Sequence, residues 1–80
     1  MTGERCAAII SATDNLSLDE LSDLIDLLEN GTLIDIQKQP WGHHISDLLP
    51  AEEDADGIHV LWALLTETHN RRFSKQYHIS

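Results

Sequence analysis

The sequence predicts an all-α fold, a small orthogonal or bundle-like array of three to five helices around a central helix at about 58–73. Three observations point there. Ile58 to Leu65 reads I-H-V-L-W-A-L-L, and at helical spacing Ile58, Leu61, Trp62, Leu65 and Phe73 share a face that Val60 and Leu64 widen beyond a single stripe. Ser17-Leu18-Asp19-Glu20 is a capping box, the sequence signature of a helix start. Only Ala7 to Ile10 and Leu33 to Gln39 offer strand alternatives, fewer than the three strands a stable sheet usually requires.

Taken in order, Thr2 to Thr13 places Cys6, Ile9, Ile10 and Thr13 at helical spacing with Thr2 as N-cap, although the short apolar run also suits a strand. Asp14 and Asn15 break that pattern. The capped helix then buries Leu18, Leu21, Leu24, Ile25 and Leu28, with Leu16 and Leu21 as a hydrophobic staple and Asn30-Gly31 as a left-handed stop. Thr32 and Asp35 cap a short helix through Leu33, Ile34 and Ile36 that ends before Pro40. Pro40-Trp41-Gly42 is a turn, and His43 to Leu49 makes one or two helical turns with Ile45, Leu48 and Leu49 inward, closed by Pro50. Ala51 to Gly57 is an acidic loop offering Asp54 or Asp56 as N-cap of the central helix. At the far end Glu67 pairs with Arg71, and Arg71 and Arg72 complement the helix dipole; the tail 74–80 is expected to fray unless Tyr77 or Ile79 docks. Trp62 is expected in the core. Trp41 is either an exposed anchor or a lid folded onto a small core.

Eighty residues make one small acidic domain, 1–80, in which a single cysteine excludes an internal disulfide framework and fits a reducing, cytoplasmic setting. No apolar run approaches the ~18 residues of a membrane span, and the first residues do not read as a signal peptide. Charge is distributed unevenly. Met1 to Asp56 holds thirteen acids against Arg5 and Lys38, a balance of −11, whereas Gly57 to Ser80 balances at +2. That distribution argues against direct binding of nucleic acid or an anionic membrane, both of which need clustered Lys and Arg.

Catalysis lacks a foothold: the glycines are scattered, and nothing around Cys6 marks it as an activated nucleophile. The five histidines and Cys6 lack metal-ligand spacing, adjacent His43 and His44 are expected to point apart, and His59 and His69 lie ~15 Å apart along a helix. No metal or cofactor is expected. What remains is the acid run. From Asp14 to Asp35 there are seven carboxylates and no base; capping and the dipole account for Asp19 and Glu20, but not for Asp23, Asp26 and Glu29. Solubility is one explanation. The other is an acidic face formed by Asp19, Asp23, Asp26 and Glu29, with Glu52, Glu53 and Asp54 alongside and Trp41 as an anchor, kept for a partner protein whose basic surface handles nucleic acid. Small acidic helical proteins of this size include bacteriocin immunity proteins, antitoxins and phage-encoded inhibitors, an analogy of type with no shared motif. The alternative is a self-associating structural or regulatory protein, a homodimer through Val60 and Leu64.

Overall fold

The computed structural model describes residues 3–51 and 53–77, and among them every regular element is helical: α1 (Gly3–Ala12), α2 (Leu18–Asn30), α3 (Leu33–Gln37) and α4 (Ala55–Gln76), joined in part by 3-10 turns at Thr13–Asn15, Gly42–His44 and Ser46–Leu48. The all-α expectation holds, and both ambiguous segments are helices. Thr2, proposed as the first N-cap, lies outside the described residues.

Local chemistry sets the helix starts. At α2 the Ser17 amide donates to Glu20 Oε1 at 2.9 Å, and the Glu20 amide donates to Ser17 Oγ at 3.2 Å. Thr32 and Asp35 repeat the exchange at α3, at 3.0 and 3.3 Å. Asp54 caps α4 by accepting from the Gly57 amide at 3.0 Å. The end of α2 differs from expectation. Gly31 adopts an extended backbone with φ −114°, and its amide donates to the Leu27 carbonyl, so no left-handed residue is used.

Packing follows the stripes. Leu21 and Leu24 of α2 meet Leu61 and Leu65 of α4 in one core cluster with Ile9, Leu16, Ile36, Trp41, Ile45 and Leu49. The contact between α2 and α4 is the largest in the fold. The two run antiparallel: Leu28 and Ile58 line one groove at one end, and at the other Arg72 reaches the Leu16 carbonyl. Leu18 and Ile25 are only half-buried because they sit on the flank of the stripe, and Leu28, at its centre, is half-buried because it borders the grooves at the end of α2. In α1, Ile9 is buried while Cys6 and Ile10 remain partly exposed, and Thr13, which opens the 3-10 turn after it, is buried.

Three expectations about the aromatic residues are corrected. Of the two readings of Trp41, the lid folded onto a small core holds, since it is 6 % exposed and belongs to the core cluster, and the exposed anchor is removed. The cause lies in Gly42, where an added Cβ would collide with the Ile36 carbonyl; that close approach folds the 39–42 turn onto the end of α3 and carries Trp41 inside. Trp62, expected in the core, is only half-buried, and Phe73 is 51 % exposed. Both lie on the flank of α4 beyond the row Gly57, Leu61, Leu65 and Thr68 that faces inward. Helix also continues through Ser74 to Gln76, where fraying was expected. Tyr77 is 58 % exposed, and Ile79 lies outside the described residues.

Candidate functional site

At about 100° per residue, Asp19, Asp23 and Asp26 fall on the side of α2 opposite Leu21 and Leu24. All three are exposed, as are Ser22 and Asn30 between and beside them. Asp26 accepts from the Asn30 side-chain amide at 3.0 Å. Among the described residues the side-chain ion pair is Glu67 with Arg71 at 3.4 Å, exposed and on a different helix, and none involves this face. Carboxylates at such spacings repel one another by a few tenths of a kcal/mol per pair.

The remaining acids divide. Glu29 lines a groove with Leu28, Ala55, Ile58, His59 and Trp62, of about 390 Å³, which brings it beside the start of α4 and the acidic loop before it. Leu28 and Ile58 also line a neighbouring hollow of about 190 Å³ with Leu27, Gly31, Thr32 and Leu33. Glu53 is exposed, Asp54 is half-buried and committed to its capping bond, and Glu52 lies outside the described residues. The structure therefore aligns Asp19, Asp23 and Asp26, and sets Glu29 at the end where α2 meets the loop.

The flanks of α4 carry different chemistry. Val60 (49 % exposed) and half-buried Leu64 stand on the flank towards α1, whose Ile10 lines a hollow with Asp14, Thr68, Arg71, Arg72 and Lys75. The opposite flank carries Ile58, Trp62, His69, Phe73 and Tyr77. Rings follow one another along it: His59 stacks on Trp62 at 6.1 Å, His69 on Phe73 at 6.3 Å, and Phe73 meets Tyr77 at 4.7 Å. The Trp62 indole Nε1 is buried without a hydrogen-bond acceptor. Sequence reasoning missed this row because periodicity counts Trp62 and Phe73 with the core face and cannot show where α2 stops covering them.

Among the described residues no three His, Cys, Asp or Glu side chains gather where an ion could be held. The His43 and His44 rings approach to 4.0 Å rather than pointing apart. Among the same residues no helix is long and apolar enough to cross a membrane. No protein-family model, curated protein or solved structure matches the chain.

Proposed function

We propose that this protein is a non-enzymatic binding module that sets the outer face of α2 against a basic surface of another protein, of the kind that otherwise holds nucleic acid. The observation that supports the reading is the row Asp19, Asp23 and Asp26: exposed, aligned, and without an ion pair among the described residues. Helix stability gives no reason for Asp23 and Asp26, whereas a partner rich in Lys and Arg does, since aligned carboxylates steer encounter and set register. Occupying the track that receives phosphates would make the module an inhibitor of its partner, of the immunity, antitoxin or anti-defence type. Glu29 and Glu53 extend the negative field towards the start of α4.

Affinity capture on the immobilised full chain tests this, at about 50 mM and about 300 mM salt, concentrations that bracket the Debye length of physiological buffer. The expected catch is a basic nucleic-acid-handling protein, held at the lower salt, reduced at the higher, and lost when Asp19, Asp23 and Asp26 are together changed to Asn. Undiminished capture of that protein by the triple variant would overturn the reading.

A further inference from the structure

We propose that the uncovered flank of α4 is the seat of a second copy of this chain, two α4 helices packing antiparallel across a two-fold axis. The flank is a row at spacings of four, four, three, four and four: Ile58, Trp62, Thr66, His69, Phe73 and Tyr77. About 28 Å separates its ends at 1.5 Å per residue. The row is palindromic. In an antiparallel pair residue i faces j and j faces i, so Ile58 meets Tyr77, Trp62 meets Phe73 and Thr66 meets His69, with the same three contacts repeated beyond the axis.

Three features say that a second copy covers it. The first is the end of α4: from Phe73 through Tyr77 every residue is exposed, yet the helix runs to Gln76. Among the described residues this stub draws no burial from tertiary contacts, and the ring neighbours of Phe73 are His69 and Tyr77 on its own helix. The second is the groove at the opposite end of the same flank, about 390 Å³ with Leu28, Ile58 and Trp62 in its wall. It can receive aromatic side chains, and the antiparallel register delivers the partner copy's Phe73 and Tyr77 to it. The third is charge. The row itself carries no carboxylate; Glu67, the single acid of α4 after Asp56, is turned away and paired with Arg71. Arg71, Arg72 and Lys75 line the hollow on the α1 side with Ile10 and Asp14, so the contact is left to the uncharged row. In a chain of net charge −9, this is the face on which two copies can meet without opposing their acids. Asp19, Asp23 and Asp26 stay outside the contact, so the dimer would present two acidic faces.

Sedimentation velocity over a concentration series tests the proposal on the full chain. The parent should pass from monomer to dimer, Phe73→Glu should weaken the dimer by roughly 30-fold, the loss typical of a well-packed interface aromatic, and Tyr77→Glu, at the end of the row, should weaken it by less. Val60→Glu, on the other flank, should leave it unchanged. A chain that stays monomeric, a dimer indifferent to both aromatic changes, or one lost in Val60→Glu overturns the inference; circular dichroism of each variant confirms that the helices remain. Register is tested in a Cys6→Ser background. Thr66→Cys mixed with His69→Cys should oxidise to a cross-linked heterodimer in preference to either homodimer, and preferential cross-linking of Thr66→Cys with itself would exclude the antiparallel arrangement.

Discussion

Both terminal nitrogens of Arg72 end on main-chain oxygens of the connection between α1 and α2, Nη1 donating to the Thr13 carbonyl at 3.0 Å and Nη2 to that of Leu16 at 2.7 Å. From sequence, Arg72 reads as a complement to the dipole at the end of its own helix. The fold uses it as a tie across more than fifty residues of chain, closing the end of the α2–α4 pair opposite the groove. Charged hydrogen bonds of this kind contribute about 1.5–3 kcal/mol each. Arg72→Ala should therefore lower the unfolding free energy by about 2 kcal/mol or more in a urea titration. Arg72→Lys should recover less than half of that, because one ammonium cannot span two carbonyls as a planar guanidinium does. Arg5 works in the same way nearer the N-terminus, donating from Nε to the Leu48 carbonyl at 2.8 Å and holding α1 against the 3-10 turn Ser46–Leu48.

At the scale of elements, the separation of stability from the proposed binding role is sharpest in α2. Its start is fixed by the Ser17 and Glu20 exchange, so Ser17→Ala should cost about 1 kcal/mol. Asp23 and Asp26 support no such bond to the backbone. Changing both to Asn should leave the melting temperature equal to or slightly above that of the parent, since it removes like-charge repulsion; a marked fall on thermal denaturation would show that the acids are structural. The helix starts were legible in the sequence because capping is local: three residues decide it. Both Ser17–Glu20 and Thr32–Asp35 were readable in this way, and the α4 cap was narrowed to Asp54 or Asp56, of which the structure uses Asp54. What was not legible depends on contacts distant in sequence. Trp41 is buried because Gly42 lets the turn close on Ile36, and Trp62 is half-uncovered because α2 lies on one flank of α4 only. Periodicity gives the breadth of the α4 apolar surface but not which neighbour covers which part of it. The acidic site was legible as composition, and its alignment followed from helical spacing, whereas the ring row on α4 emerged only once the depth of each side chain was known.

For the molecule as a whole, a net charge of −9 on 80 residues sets two salt dependences of opposite sign. Self-repulsion opposes the folded state and is screened by added salt, so the melting temperature of the isolated protein should rise between about 20 mM and about 300 mM sodium chloride. Over the same range capture of a basic partner should weaken. A melting temperature that fell with salt would mean that attractive surface pairs outweigh the repulsion, which the sparse ion pairing among the described residues argues against. The elongated outline, 44 × 26 × 20 Å, belongs to the same picture, since α4 alone accounts for about 33 Å of it.

The contrasting positions of the two indoles give the protein a built-in optical gauge. Trp41 sits in the interior, where water does not reach it, whereas Trp62 borders the groove beside Glu29 and His59 with its N–H lacking an acceptor. An indole emits at longer wavelength when polar solvent can relax around its excited state. In a Trp41→Phe background the remaining emitter therefore watches the groove: its colour and its accessibility to a dissolved quencher follow whatever occupies that space, without a label being attached.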